Sequence, residues 1–361
     1  MKVVHVHRIR GIGGSERHLL TLLPALAERG AEPVFVGLDD PAWEAEPFYR
    51  ELRVPSVRLR APRDLDPRLL VALRRALRGL RPDLVHTHLV HADVYGGLGA
   101  EAPLVSTKHN DDRFRTGPFR YVERALARRA RRVIAITEAL ARFTVERVGL
   151  PAAKVEVVHY GLDAPPPAWG ENPHVLLPDG ARVVLAVCRL ADQKGVDVAV
   201  RALASVRAEH PDAVLVVLGE GPARPALERL AAELGIGHAV FLPGRAGDVA
   251  EWLGRAEIVV HPVRWEGFGL ALLEAMLAER AVVASSVSSI PEIVLAGETG
   301  LLVRPDDPDA LAAAVSRLLA DRALAARLGS AGLARARREF STDRMATRTL
   351  AVYERALARS D

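Results

Sequence analysis

The sequence predicts an α/β protein built as two parallel-sheet domains, and three observations lead there. Short apolar runs alternate with helix-patterned stretches, as when strands are buried on both faces by their connecting helices. The alternation stops at the proline- and glycine-rich "GLDAPPPAWGENPHVLLPDG", residues 161–180, and then restarts. The chain has 361 residues, 49% of them hydrophobic, enough for two packed cores, since single cores rarely grow past roughly 250–300 residues. The proline-rich stretch is the expected boundary, with domains over 1–164 and 165–340 and a final helix from 341.

In the first half, "KVVHVH" reads as a strand, "GIGG" as a turn, and Ser15 to Arg29 as a helix. Strands follow at "EPVFVGL", "DLVHTH" (83–88), "PLVSTKH" (103–109), "RVIAIT" (132–137) and "KVEVVHYG" (154–161). Helical patterns fill 66–79, 91–100, 118–130 and 138–147. In the second half, "RVVLAVC" (182–188) is a strand, 196–209 a helix and "AVLVVLG" (213–219) a strand. "PALERLAAELG" is a helix stopped by Gly235, and "AVFLPG", "AEIVVHP", "RAVVASS" and "GLLV" are short strands. Helices are expected near 247–254, 270–279, 308–319, 322–335 and 341–358. Two such domains suggest a cleft, with ligands beyond the carboxyl ends of the strands.

Composition excludes several classes. Cys188 is the single cysteine, which rules out an internal disulfide framework and makes a reducing compartment the expectation. Its setting, "VVLAVCRL", is that of a small buried strand residue. The opening "MKVVHVHRIRGIGG" does not read as a signal peptide. No run approaches the roughly 20 apolar residues of a membrane span. Lys and Arg exceed Asp and Glu by 49 − 45 = 4, so global charge says little.

Local chemistry concentrates at strand-to-helix loops. "RIRGIGGSERHLL" (8–20) lacks the GxGxxG spacing of a dinucleotide fingerprint. Gly13 and Gly14 allow a tight turn whose free N–H groups suit a phosphate, or the glycines only turn the chain and Ser15 caps the helix. In "CRLADQKGVD" (188–197), Arg189 and Lys194 could clamp a diphosphate or stand solvated. Glu220 lies in "LGEGPARPALE", where Gly219 and Gly221 would let a base or ribose approach the backbone. An ordinary turn with Pro222 near the helix start is the alternative.

Glu266 and Glu274 flank "GFGLALL". Glu266 sits in the loop, and Glu274 about one turn inside a helix of apolar residues. Gly267 and Gly269 leave the helix start open to an anion. A carboxylate at Glu274 must face solvent or be paired, and a ribose would supply two hydroxyls. His109 ends its strand, where it could touch substrate or shuttle a proton near neutral pH. His5, His7, His86 and His88 read as strand residues satisfied by backbone carbonyls, although paired histidines invite a metal reading.

"RFRTGPFRYVERALARRARR" (113–132) carries eight arginines against one glutamate. Val122, Ala125, Leu126 and Ala130 should face inward and Arg124, Arg128, Arg131 and Arg132 outward. Such a helix could meet anionic lipid or an anionic acceptor, or be a solvated basic face. No recognised nucleic-acid module accompanies it.

Taken together, the chain resembles glycosyltransferase family 4, over nearly its whole length from "GGSE" (13–16) to the last helix. The most specific element is E-x7-E, Glu266 to Glu274, within "WEGFGLALLEAM". "CRLADQKG", "LGEGPARPALE", "VVHYGLD", "IPEIV" and "GETGLLVRPDDPDALA" support it. The resemblance implies the GT-B fold, two Rossmann-like domains facing each other across a deep cleft, the first on the acceptor side and the second holding the donor. It implies a retaining hexosyltransferase using a nucleoside diphosphate sugar, with UDP the commoner base, and a lipid-linked or saccharide acceptor.

By resemblance, Arg189 and Lys194 take the diphosphate, Glu274 the ribose hydroxyls and Glu266 the hexose. The N–H groups of Phe268, Gly269 and Leu270 lie near sugar and phosphate, and Glu220 joins the donor contacts. Gly13 and Gly14 close over the phosphate, His109 lies near sugar and acceptor, and the C-terminal helix, 341–361, crosses back to the first domain. No cofactor or metal is implied. A cytoplasmic location is expected, with peripheral contact to anionic membrane through 113–132 and no nucleic-acid partner. A nucleotide-sugar hydrolase or epimerase, or a non-catalytic binding module, is the alternative. Two departures are visible: "LAERAVVAS" stands where relatives often have Gly-Lys-Pro or Gly-Arg-Pro, and "SVSSIPE" replaces a frequent Gly-Gly.

Overall fold

The structure, a computed structural model, describes residues 1–164, 172 and 175–358. Of the expected proline-rich boundary, 161–180, residues 165–171, 173 and 174 therefore lie outside the described residues. The chain divides into two compact units, one of Met1–Gly161 with Ser341–Asp361, the other of Leu162–Phe340.

Unit 1 alternates strand and helix from β1 (Lys2–Ile9) and α1 (Gly14–Glu28) through β2 (Glu32–Asp39), α2 (Glu46–Glu51), β3 (Ser56–Arg60), α3 (Pro67–Leu80), β4 (Leu84–His88), α4 (Leu89–Gly99) and β5 (Leu104–Lys108). It continues with α5 (Phe119–Arg129), β6 (Ala130–Ala135), α6 (Glu138–Arg142) and β7 (Val155–Val157). All strands are parallel, in the order β3-β2-β1-β4-β5-β6-β7.

Strand alternation sends β1 side chains to opposite faces. Val4 and Val6 pack with Leu69, Leu73 and Tyr95 of α3 and α4. Val3 packs with Leu22 and Leu26 of α1 and with Met345 and Tyr353. Those last two belong to the closing helix of the chain, Thr342–Leu357, which is thus part of unit 1.

Unit 2 repeats the plan. Its elements are β8 (Arg182–Val187), α7 (Val196–Glu209), β9 (Ala213–Leu218), α8 (Arg224–Glu233), β10 (Val240–Gly244), α9 (Val249–Arg255), β11 (Ile258–His261) and α10 (Leu270–Leu277). Then come β12 (Ala281–Ser285), α11 (Ile290–Ile293), β13 (Leu301–Val303), α12 (Pro308–Ala320) and α13 (Arg322–Glu339), with α14 (Thr342–Leu357) returning to unit 1. The sheet is parallel, ordered β10-β9-β8-β11-β12-β13. Strand order reverses direction between β1 and β4 in unit 1 and between β8 and β11 in unit 2. Crevices for ligands open at such points, beyond the carboxyl ends of the strands.

Several local expectations change. The strand expected at 154–161 is only Val155–Val157. The helix expected at 138–147 ends at Arg142 and widens into a π-helical turn, Phe143–Val148, closed by Gly149 in the left-handed region. Helix α2 and strand β3 went unread. β3 is an edge strand with alternating exposed positions, "SVRLR", so it lacks an apolar run. Among the described residues no helix is long and apolar enough to cross a membrane.

Candidate active site

The unit 2 site grows from the loops after β8 and β11. The first loop turns tightly because Gly195 adopts φ 59°, and a Cβ there would lie 1.9 Å from the Pro262 carbonyl oxygen. This close approach sets Lys194 beside the β11 loop. Lys194 Nζ donates to Glu266 Oε2 at 2.5 Å, and His261 Nε2 bonds the same oxygen at 3.2 Å. The Gly267 N–H donates to Oε1 at 3.1 Å. Burial opposes a charge on Glu266, but Lys194 and His261 outweigh it and bring the carboxyl down to about 2. Burial likewise lowers the His261 pKa, against the pull of Glu266. His261 was not foreseen, although it ends β11 much as His109 directly follows β5.

The second glutamate of the pair is 1% exposed, so Glu274 does not lie on a solvated stripe. Its helix α10 starts from Gly269 at φ 98°, a conformation glycine adopts without strain. Phe268, 3% exposed, meets Phe340 edge to face. The Ser289 hydroxyl donates to the carbonyl oxygens of Glu266 (3.1 Å) and Phe268 (3.3 Å), fixing the loop ahead of Leu270. Ser288 has φ 46°, a left-handed backbone that favours glycine.

Arg189 is exposed after β8. Glu220 pairs with Arg224 one turn on, at 2.6 Å. Gly219 and Gly221 serve a different purpose from the one expected. Cβ atoms there would come within 1.9 Å of the Cys188 carbonyl and 2.2 Å of the Leu190 carbonyl. The glycines therefore let two loops touch, and that space is not left for a base or ribose.

Unit 1 carries its polar residues at the carboxyl edge of its sheet. Gly13 caps α1, not Ser15. Its N–H donates to Glu16 Oε2 at 3.0 Å, the Ser15 hydroxyl donates to the same oxygen at 3.0 Å, and His7 Nε2 meets Oε1 at 3.1 Å. Burial would raise the Glu16 pKa, but His7 and the Gly13 N–H outweigh it and lower it. The expected free amide at Gly13 is thus occupied by a buried carboxylate that begins the same helix as Gly14.

His109 is buried, with Nε2 on His88 Nδ1 at 3.1 Å and Nδ1 on the Tyr160 hydroxyl. Burial, then His18, His7 and Lys108, lower its pKa well below the ordinary imidazole value. The expected proton shuttle near neutral pH does not fit a neutral ring with both nitrogens engaged. Nor do the strand histidines rest chiefly on carbonyls. His7 Nδ1 meets the His88 carbonyl at 3.2 Å, but the others form a chain.

His86 bonds Thr107 and Tyr353, each at 2.6 Å, and His5 bonds Tyr353 at 3.4 Å and His88 at 3.0 Å. A neutral imidazole donates once and accepts once, so this run from Thr107 to Tyr160 points in one direction. Ring nitrogens of His5, His86 and His88 lie within 4.8 Å of one another. A cation could bridge that spacing, yet all six nitrogens face hydrogen-bond partners.

The arginine-rich segment also differs. Glu123 and Ala127 face inward with Ala130, whereas Val122 is 45% exposed and Ala125 is exposed. The reason is a buried ion cluster. Arg115, 1% exposed, reaches Glu123 at 2.6 and 3.1 Å. Lys108 Nζ lies 3.1 Å from Glu123 and 2.6 Å from Asp93.

Comparison with known proteins agrees with the fold. Each sheet is that of a GT-B glycosyltransferase. The chain matches a structure from Anabaena, HepE in complex with UDP and glucose, at TM-score 0.83 and 21% identity, over 98% of this chain and 99% of that one. It matches a sucrose-phosphate synthase from Thermosynechococcus elongatus at TM-score 0.81 and 24% identity, over 99% and 100%.

In sequence, residues 12–164 match the family model for glycosyltransferase family 4, and residues 171–335 that for glycosyl transferases group 1. A D-inositol 3-phosphate glycosyltransferase of Streptomyces scabiei is 35% identical over 78% of this chain and 71% of its own. A glycogen synthase of Mycobacterium tuberculosis is 31% identical over 76% and 69%. The chain belongs to glycosyltransferase family 4 and is a transferase enzyme.

Proposed function

We propose that the enzyme moves a hexose from a nucleoside diphosphate sugar, most simply a UDP-sugar, to a saccharide acceptor with retention of anomeric configuration, in cytoplasmic glycan synthesis. The observation that supports this most is the Lys194–Glu266–His261 cluster at the strand-order reversal of unit 2. A bound diphosphate would draw Lys194 from Glu266, with Arg189 beside it, and the freed carboxylate would accept from sugar hydroxyls. Glu274 would take ribose hydroxyls one turn into α10.

In the transfer, the anomeric carbon–phosphate oxygen bond breaks and a bond to the acceptor oxygen forms. The acceptor proton leaves with the departing diphosphate, since the His109 ring is neutral and engaged. Two cationic side chains and a helix start offset the phosphate charge, so the reaction proceeds without a divalent cation or other cofactor.

The test is release of UDP from candidate UDP-sugars with and without acceptor, in EDTA. Transfer requires acceptor-dependent release. Release without acceptor would make the protein a hydrolase, and binding without turnover a sugar-nucleotide module. Restoration by Mn²⁺ after loss in EDTA would overturn the metal-free reading.

A lipid-linked acceptor is favoured by one further observation. Phe114 (52% exposed), Tyr121 (59%) and Val122 (45%) crowd the start of α5 beside Arg120. Such a patch would insert shallowly in anionic membrane. Cosedimentation with acidic but not neutral vesicles, lost on Phe114→Ser/Tyr121→Ser, tests it.

A further inference from the structure

Strands β6 and β7 begin at Ala130 and Val155, so residues 130–132 and 154 mark the amino edge of the unit 1 sheet. His109, one residue past β5, marks the carboxyl edge. At the amino edge lies an open pocket of about 430 Å³ lined by Arg128, Arg129, Arg131, Arg132, Lys154 and Arg355. Four of its cations are held in place. Lys154 Nζ donates to the carbonyl oxygens of Ala127 (3.1 Å), Arg128 (3.2 Å) and Ala130 (2.8 Å), at the end of α5. Arg129 donates to the Ala100 carbonyl at 2.9 Å. Arg132, at 3.2 Å, and Arg355 share the Glu156 carboxylate.

Six cations gathered in one pocket repel one another, with Glu156 shared by Arg132 and Arg355, and burial together with Arg131 and Arg132 lowers the pKa of Lys154. An anion placed among them would relieve that repulsion. Guanidinium forks match phosphate oxygens in pairs. The volume falls in the range of small-molecule sites.

We propose that this pocket binds a phosphate-bearing ligand, at the edge of the sheet opposite His109 and independently of the transfer reaction. The phosphate belongs to a soluble molecule. The pocket is concave, and the exposed Phe114 and Tyr121 lie at the far end of α5, about 15 Å away along an eleven-residue helix. A headgroup site would want apolar side chains beside it.

The probe is pyrophosphate, titrated calorimetrically at low salt into the full chain carrying Arg189→Ala and Lys194→Ala. In that background the donor loop does not report, so an error in the donor assignment leaves the measurement intact. One pyrophosphate per chain is expected, weakened about tenfold or more when Arg128→Gln and Arg355→Gln are added, and weakened in high salt. Arg128→Gln alone, at an exposed side chain, serves if the double change disturbs folding. Absence of binding, or equal affinity in the variants, overturns the proposal. So does binding of phosphatidylglycerol vesicles through these arginines without binding of pyrophosphate.

Discussion

Lys194 and Glu266 satisfy each other in the absence of donor, so each residue's removal reports on the other. Lys194→Met should leave Glu266 buried beside His261 without its cation, and breaking such a pair costs roughly 3–5 kcal/mol. Urea unfolding of the ligand-free protein would measure it. The depressed Glu266 carboxyl also fixes a pH window. Its contribution is fully present above the ordinary carboxylate value of 4.5 and is lost as pH falls toward about 2. In the Lys194→Met variant that acid-side dependence should shrink and move to higher pH. Arg189→Ala should weaken a nucleoside diphosphate about 10- to 100-fold while sparing the nucleoside, since each charge-assisted contact is worth roughly 1.5–3 kcal/mol. Equal losses by calorimetry would remove Arg189 from the phosphate. The positions of Lys194, Glu266 and Glu274 on loops and a helix start were legible in sequence because they lie at fixed offsets from strand ends and glycines. His261, Glu16 and Tyr160 were not. Their meaning comes from partners that only the fold brings near, such as Tyr160 on His109, 51 residues away.

Helix α5 shows how an element's register can be set by ions. Apolar periodicity alone turned Val122 and Ala125 inward, but the buried Glu123 carboxylate turns the helix instead, because Arg115 and Lys108 await it. Burial raises the Glu123 pKa, yet Lys108 and Arg115 outweigh it and lower it. Glu123→Gln should therefore cost roughly 3–5 kcal/mol, because Arg115 and Lys108 would stay buried with less compensation. A denaturation midpoint within error of wild type would show the cluster to be dispensable. Most helices and central strands were readable, since both report burial through a simple period. The π-helical turn after Arg142 was hidden in an unbroken helical pattern. Strand β3 was hidden for the opposite reason, having too few apolar residues.

At the scale of the whole chain, α14 closes the sheet that the first residues open. Met345, Ala346, Val352 and Tyr353 cover Val3, Leu22 and Leu26, and the Tyr353 hydroxyl bonds His86. Tyr353→Phe should destabilise unit 1 by about 1–3 kcal/mol through the partners it strands, detectable as a lowered thermal midpoint. Deletion from Ser341 should expose that whole apolar face and leave unit 1 without fixed tertiary packing, seen as dye binding and lost near-UV dichroism. Sequence placed the final helix but could not name Tyr353 as its anchor, since the partner lies 267 residues away. The return of the last helix also sets an order of events during synthesis. Every residue of unit 2 has left the ribosome before α14 emerges, so the domain translated second can be finished first. The domain translated first must wait, its histidine-lined face uncovered, until all of unit 2 has been made and α14 follows it.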